Sequence, residues 1–225
     1  MKAHVLYLLL LCLAIPIQTQ GQGRATLRRN IKEWGECKNV AITKSNGDVA
    51  LYGKNGYACY SCPGSLVNAL SKLHDRSKLI DDVQLTENGS WLVLYGDNGF
   101  QWNDIPYSLE KKLREMNDNE EVITSVTFND AGDWIVISTE HIAASNPEVY
   151  SWIEEGIEEY GALWAACITD DALVLCYSRG YKFMGEVPSG LKSALRESSL
   201  DVYRVKIAGT SWFFADKHGH YRYNM

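Results

Sequence analysis

The sequence predicts an α+β protein made of five similar units, each with two or three antiparallel strands followed by one helix. The main observation is a repeat, because LYGKNGY at residues 51–57 returns as LYGDNGF at residues 94–100, 43 positions later. So many identities at one spacing indicate an array of about 40–43-residue units. Further matches at this offset are Pro63 with Pro106, Leu66 with Leu109, Leu70 with Leu113, Val83 with Val126 and Trp91 with Trp134.

Each unit shows strand periodicity first and helix periodicity second. Short runs rich in Val, Leu, Trp, Tyr and Phe, separated by Asn-Gly pairs, predict strands joined by tight turns. We expect Asn-Gly to supply the positive φ that such a turn needs. A proline such as Pro106 follows, and then apolar residues at a period of 3.6, such as Leu109 and Leu113. This second pattern predicts an amphipathic helix.

The two ends of the chain complement each other. Segment 202–225 has strand patterns but no following helix, whereas residues 26–36 carry Leu27, Ile31 and Trp34 at helical spacing. Since a hairpin with one helix cannot bury its apolar face alone, neighbouring units must stack. An array whose first helix completes its last unit leaves no exposed end.

We therefore expect a closed or nearly closed ring with helices outside, and the alternative is an open curved solenoid. This propeller-like arrangement resembles the α/β propellers in layout only. The predicted organisation is one repeat domain over residues 22–225. Its units are about 38–80, 81–123, 124–163, 164–201, and 202–225 completed by helix 26–36.

The first residues predict export. Residues 1–21 contain one lysine, an apolar run from Val5 to Ala14, and small residues at Thr19 and Gly21, which is typical of a signal peptide. The run is too short to span a bilayer, and no later segment comes close, so we expect no membrane span. We expect a secreted, extracellular protein.

The charge balance argues against nucleic acid as a partner. The chain has 22 Lys and Arg against 28 Asp and Glu, with a net charge of -6. There is no basic excess to neutralise a phosphate backbone. An acidic surface of this kind is typical of a soluble protein.

Five cysteines remain after the predicted leader is removed, and an oxidising compartment favours their pairing. We expect Cys59 and Cys62 to form a structural disulfide at the start of a helix. Cys167 and Cys176 flank a hairpin and could also bridge. Cys37 is the expected unpaired thiol, which leaves a monomer or a Cys37-linked dimer. A bond from Cys37 to Cys167 or Cys176 stays open, because spacing does not fix connectivity.

Asn88-Gly89-Ser90 is an acceptor sequence for N-glycosylation. It lies at a predicted hairpin tip, which would be exposed. Gly89 and Gly132 also recur at this turn for geometric reasons, so the sequon and the turn requirement are alternative explanations.

Ligand-binding residues are sought where side chains vary on a constant scaffold. The turn after the second strand of each unit carries different polar residues, and in a ring these turns would share one rim. They could converge on a ligand, with an aromatic ring available to stack on a sugar face, although a solvated rim of unrelated charges is the simpler alternative. The candidates are Lys54, Asn55, Asp97, Asn98, Trp102, His141, Arg179 and His218.

The same rim offers an enzymatic alternative. His141 or His218 with Glu140, Asp97 or Asp216 could perform acid–base chemistry near neutral pH. No nucleophile motif accompanies them. The sequence HGH at residues 218–220 is a weak metal-binding pattern, so no metal or other cofactor is expected.

The predicted function is a secreted binding protein for a glycan or an extracellular protein. A secreted hydrolase or lyase that uses a His–carboxylate pair is the alternative.

Overall fold

The structure is a computed structural model that describes residues 22–225, so the predicted signal peptide lies outside the described residues. Within this range fifteen strands form five three-stranded antiparallel sheets, and a helix precedes each sheet. The predicted α+β class and the repeated strand-and-helix unit are confirmed. The helices are α1 Gln22–Trp34, α2 Gly64–Asp75, α3 Tyr107–Asp118, α4 Pro147–Tyr160 and α5 Ser189–Arg196.

The five sheets follow one another along the chain, and every sheet is built of three consecutive strands. Sheet 1 contains β1 Asn39–Ile42, β2 Asp48–Tyr52 and β3 Gly56–Tyr60, and sheet 2 contains β4 Ile80–Leu85, β5 Trp91–Tyr95 and β6 Gly99–Asn103. Sheet 3 contains β7 Ile123–Phe128, β8 Trp134–Ser138 and β9 Ile142–Ala144. Sheet 4 contains β10 Leu163–Ile168, β11 Ala172–Tyr177 and β12 Gly180–Gly185, and sheet 5 contains β13 Arg204–Ala208, β14 Ser211–Ala215 and β15 Tyr221–Asn224.

Each sheet has two turns at opposite ends, because its strands are antiparallel and pair in chain order. We call the connection between its first two strands the first turn and the connection between its last two strands the second turn. In sheet 2, for example, Leu85 pairs with Trp91 beside the first turn, and Tyr95 pairs with Gly99 beside the second.

The repeated heptad is explained by its two glycines, and not by Asn-Gly as expected. The positive φ falls on the first glycine, at 54° for Gly53 and 64° for Gly96. The second glycine leaves room for an aromatic ring. A Cβ on Gly56 would lie 2.5 Å from the Tyr52 ring, and a Cβ on Gly99 would lie 2.5 Å from the Tyr95 ring. The heptad therefore recurs because both the turn and the tyrosine packing recur.

Five buried apolar clusters join consecutive sheets, each with one helix between them. The first strands contact one another in the order β1, β4, β7, β10 and β13, and β13 also contacts β1. Sheet 5 and sheet 1 therefore share a core in the same way as neighbours in sequence do. The helix in that core is α1, through Leu27 and Ile31, which pack with Phe213 of β14 and Val40 of β1.

The N-terminal helix starts four residues earlier than expected and is bonded to both ends of the repeat. Tyr221 Oη donates to Ile31 O (3.3 Å), and Arg28 Nη1 donates to Met225 O (2.7 Å). The ring of Trp34 stacks on Tyr52 in sheet 1, with centroids 4.0 Å apart. The predicted association of helix 26–36 with segment 202–225 is therefore observed as direct contact.

Candidate functional site

A cavity of about 310 Å³ lies where the first turns of the five sheets approach one another. All five sheets contribute lining residues, from the first turns and the adjoining ends of the strands. We call it the first-turn cavity. Its apolar wall includes Ile42, Leu85, Phe128, Ile168, Ile207 and Ala208.

Acidic side chains outnumber basic ones in the lining of this cavity. The basic residues are Lys44 at the mouth and Lys206 at the floor. The acidic residues are Glu87, Asp130, Asp170, Asp171 and Glu186.

Three of these carboxylates are held in place because each accepts a backbone N–H from the first turn of the preceding unit. They stand at corresponding places in units two, three and four, so the repeat itself positions them. As a result, three of the five carboxylates in the lining are held in place. The bonds run from Ser45 N to Glu87 Oε2 (3.1 Å), from Asn88 N to Asp130 Oδ2 (3.3 Å) and from Ala131 N to Asp170 Oδ1 (3.2 Å).

Lys44 occupies the same repeat position as Glu87 and Asp130, at intervals of 43 residues, but in the first unit. Its Nζ lies 3.0 Å from Asp171 Oδ2 in the fourth unit, and both side chains are more than half exposed. The stem of Lys44 passes over the two-residue first turn of sheet 5, since a Cβ on Gly209 would lie 3.7 Å from Lys44 Cγ. The hydrogen bond with Asp171 raises the pKa of Lys44. The acidic mouth thus already holds one ammonium group.

The floor of the cavity is a buried polar cluster around Lys206. Its Nζ donates to Gln84 Oε1 (2.8 Å) and to Asp82 Oδ1 (3.3 Å), and its side chain is 6% exposed. Asp82 also accepts from Val126 N (3.2 Å) and from Asn39 Nδ2. A buried ammonium needs such partners, because an unpaired one would be strongly destabilising.

The candidate residues predicted from the sequence lie elsewhere. Their second turns are at the opposite end of the sheets from the first turns, and none of them lines the first-turn cavity. Two of the side chains have structural roles, since Asn55 Nδ2 donates to His74 O (2.9 Å) at the end of α2 and Asn98 Oδ1 accepts from Ile123 N (3.5 Å) at the start of β7. The residues on second turns or directly beside them are Lys54, Asn55, Asp97, Asn98, Glu140, His141, Arg179 and His218.

His141 has a carboxylate partner, but the partner is Glu121, which we did not predict, and not Glu140. The distance from His141 Nδ1 to Glu121 Oε1 is 3.1 Å, with the histidine 66% exposed and the glutamate buried. Ser138 Oγ donates to Glu121 Oε2 (2.5 Å), and this bond, with the one from His141, lowers the pKa of Glu121. Ser138 Oγ also accepts from His141 N (2.8 Å). The pair therefore stabilises the irregular second turn of sheet 3.

The histidines near the C-terminus are organised by Asp216. Its carboxylate accepts from the backbone N–H groups of His218 (2.8 Å) and His220 (2.9 Å) and lies 2.7 Å from His220 Nδ1. Among residues 22–225 no group of three or more metal-ligating side chains converges. The aspartate thus acts as the acceptor that closes this turn.

The half-buried Trp102 ring has two protein neighbours. Phe100 lies beside it with centroids 5.2 Å apart, and the Arg114 guanidinium lies over the ring, 5.0 Å from its centroid. A sugar that stacked on the face covered by Arg114 would have to displace the arginine.

All five cysteines within the described range are free, so neither expected disulfide is present. The neighbouring Cys62 side chain lowers the pKa of the Cys59 thiol to about 7. Cys62 Sγ itself lies 3.3 Å from both Asp48 O and Tyr60 O. Cys167 pairs with Val174 across β10 and β11, so Cys176 is its diagonal neighbour. Diagonal positions are about 7–8 Å apart, which is beyond the usual Cα separation of a disulfide.

Cys37 is fully buried, and this burial raises the pKa of its thiol to about 12. A bond from Cys37 to a second chain would require the local structure to open. Its burial therefore disfavours the Cys37-linked dimer.

Asn88 is exposed on the first turn of sheet 2, next to Glu87 at the cavity mouth. A glycan there would lie beside the first-turn cavity. In the part of the chain that the structure describes, no helix is long and apolar enough to cross a bilayer.

Comparisons with known proteins assign no family to this chain. A scan against models of protein families and a search of the curated proteins both found no match. The function must therefore be argued from the geometry of the site.

Proposed function

We propose that this chain is a secreted binding protein whose five units close into a propeller-like ring, with a small ligand bound in the first-turn cavity. The observation that carries the proposal is the cavity itself, which combines apolar walls with a few fixed polar groups. Its volume of about 310 Å³ is in the range of small-molecule sites.

The contacts of β13 with β1 and of α1 with both end sheets support the closed ring. Cys37 N donates to Gly219 O (2.9 Å), so the start of sheet 1 is bonded to the second turn of sheet 5. The bond from Ile80 N to Lys54 O joins sheets 2 and 1 in the same manner. Equivalent bonds at the seam and inside the array favour the ring over an open solenoid.

Blocking the mouth tests the binding proposal. Thr210 is exposed and lines the cavity, whereas Thr139 is exposed on a second turn. In an NMR screen of mixed small molecules, we expect hits that shift the amides of Thr86, Thr169 and Gly209, and that Thr210→Trp abolishes. Thr139→Trp is the matched control. Hits that survive Thr210→Trp, or a screen without cavity hits, would contradict the proposal.

The pair of His141 and Glu121 supports a second candidate, a secreted hydrolase or lyase. The imidazole is exposed while its carboxylate partner is buried and has a lowered pKa, an arrangement in which the carboxylate can orient the ring for acid–base catalysis. Cleavage of a substrate panel that is lost in both His141→Gln and Glu121→Gln would support it. The absence of turnover in the unmodified protein would leave only the turn-stabilising role.

The second turns and Trp102 remain two proposed places for a glycan or an extracellular protein. They are separate, because Trp102 pairs with Leu92 and lies toward the first-turn end of sheet 2. On a glycan array, Trp102→Ala should remove binding at Trp102, Arg179→Ala should weaken binding at the second turns, and Thr210→Trp should change neither. Retention of all binding in both Trp102→Ala and Arg179→Ala would count against these two places.

We further propose that residues 1–21 are removed on secretion, that Asn88 is glycosylated, and that Cys59 and Cys62 form a disulfide in the oxidised protein. The effect of the Cys62 side chain on the pKa of Cys59 supports the proposed bond, because it requires the two thiols to be neighbours. Intact-mass analysis before and after reduction and deglycosylation tests all three modifications.

A further inference from the structure

We infer that the first-turn cavity takes a small organic cation, with its ammonium group at the mouth and a neutral hydrogen-bond acceptor at the floor. This inference rests on the proposed binding function and specifies the chemical class of the ligand.

The mouth favours a cation because backbone hydrogen bonds fix the carboxylates of Glu87, Asp130 and Asp170, and a further carboxylate, Asp171, already pairs with an exposed lysine. Lys44 shows how an ammonium group can sit at this mouth. Its Nζ lies 3.0 Å from Asp171 Oδ2, and its aliphatic chain lies over the first turn of sheet 5. An exposed ion pair of this kind contributes about 0–1 kcal/mol. A ligand ammonium can therefore replace Lys44 at low cost.

The floor favours an acceptor because Lys206 has one donor to spare. An ammonium group has three N–H bonds. Among the described residues only Gln84 Oε1 and Asp82 Oδ1 accept from Lys206 Nζ, which is buried and lines the cavity. The third N–H is therefore available to a ligand oxygen.

The floor acceptor should be a neutral carbonyl or hydroxyl group. A ligand carboxylate beside Lys206 would also approach Asp82, whose Oδ1 is 3.3 Å from Lys206 Nζ. The two negative charges would repel each other in a buried site. Lys206 is three residues before Gly209 at the mouth, which is about 10 Å along a strand, so a chain of roughly five carbons can connect the two ends.

A matched set of four probes tests the inference: 5-aminopentanamide, pentanamide, 1-aminopentane and 5-aminopentanoate. In NMR titrations of the purified protein, we expect 5-aminopentanamide to shift the amides of Thr86, Thr169 and Gly209. Pentanamide lacks the ammonium group, 1-aminopentane lacks the floor acceptor, and 5-aminopentanoate has a carboxylate in place of the amide. Each of these three should bind at least about tenfold more weakly, which corresponds to about 1.4 kcal/mol.

Variants at the mouth provide a second readout. Lys44→Met removes the competing ammonium and should tighten 5-aminopentanamide binding several-fold, whereas Asp171→Asn should weaken it. Lys217→Met on the second turn of sheet 5 and Asp75→Asn at the end of α2, both exposed and outside the cavity lining, are the matched controls and should leave binding unchanged.

Equal binding of pentanamide and 5-aminopentanamide would overturn the cation inference and leave the binding proposal intact. Tighter binding of 5-aminopentanoate would overturn the neutral acceptor. If none of the four probes shifted the amides of the cavity, the inference would be overturned. The proposed function would then be tested by the broader screen with Thr210→Trp.

Discussion

Arg24 near the start of α1 donates through Nε and Nη2 to the two carboxylate oxygens of Asp48 in β2, at 2.8 and 2.5 Å. It also donates to Ser211 Oγ in β14 (3.1 Å), so a single guanidinium bridges the first and last sheets. Asp48 is equivalent in the repeat to Trp91 of sheet 2 and Trp134 of sheet 3. Their indoles donate to a serine of the preceding helix, at 2.9 Å in both sheets. Helix α1 therefore contacts sheet 1 in the place where α2 and α3 contact their sheets.

Removal of this guanidinium should strongly destabilise the protein. Asp48 is fully buried, so Arg24→Ala leaves a charge without its partner, and we expect a loss of about 3–5 kcal/mol in the free energy of unfolding. Urea denaturation measures it. Arg29→Ala is the control, because its pair with Glu33 is exposed and should contribute under about 1 kcal/mol. Similar losses for the two variants would show that Arg24 does not hold the ends together.

Gly190→Ser should stabilise the protein. Trp212 corresponds to Trp91 and Trp134, but its Nε1 is buried without a partner, because Gly190 stands where α2 and α3 have serine. A Cβ on Gly190 would lie 3.5 Å from that nitrogen, which is ordinary contact. The new hydrogen bond should add about 0.5–1.5 kcal/mol to the free energy of unfolding.

Gly190→Ala is the control, because replacement of a glycine within a helix raises the free energy of unfolding even without a new hydrogen bond. Thermal and urea unfolding should rank Gly190→Ser above Gly190→Ala. The reverse order would show that the serine does not reach Trp212.

Gly99→Ala should be destabilising even though its backbone φ is not in the left-handed region. The added Cβ would lie 2.5 Å from the Tyr95 ring, and overpacking of this kind costs about 1–3 kcal/mol. Gly64→Ala is the control, since nothing lies within 4 Å of its Cβ position. Tyr95→Ala should itself be destabilising and should reduce the loss from Gly99→Ala in the double variant. Part of that loss should remain, because the Cβ would still lie 2.8 Å from Tyr95 O. Fully additive losses would contradict the steric explanation.

Cys59 should be the reactive cysteine of the reduced protein. The neighbouring Cys62 side chain favours the Cys59 thiolate and lowers the pKa of Cys59 to about 7, so the rate of alkylation should rise with pH through that value. Mass spectrometry of iodoacetamide-treated protein locates the label. Cys62→Ala should move the midpoint upward, whereas Cys37 and Cys176 should stay unlabelled, since burial raises the pKa of both thiols. An unchanged midpoint in Cys62→Ala would contradict this origin of the shift.

Protonation of Glu121 should reduce the stability of the protein in acid. The pKa of its carboxyl is lowered in the folded state from 4.5, chiefly by the bond from Ser138. Its contribution to stability is therefore fully present above pH 4.5 and is lost as the pH falls through the lower folded-state pKa. Urea unfolding between pH 6 and pH 3 should show a steeper loss in the unmodified protein than in Glu121→Gln. Parallel curves would show that Glu121 is not the titrating group.

The cavity mouth could be read only partly from the sequence. Glu87 and Asp130 occupy one repeat position, so a row of acidic first-turn residues was detectable at the 43-residue offset. Lys44 pairs with Asp171, which is 127 residues away. This pairing depends on the short first turn of sheet 5 and on the angle between neighbouring sheets. The same holds for Lys206 with Asp82, which are 124 residues apart. No local spacing encodes these distances.

The sequence by itself determined the repeated unit, because strand alternation, turn glycines and the 3.6-residue helical period are local properties that each unit carries in full. It also determined that the N-terminal helix belongs with the last strands, since each end lacks what the other supplies. Only the tertiary structure decided that the first turns enclose a cavity, and that His141 faces Glu121. Those relationships follow from the packing of whole sheets against one another, which sets the angle between units and is the sum of many contacts distant along the chain.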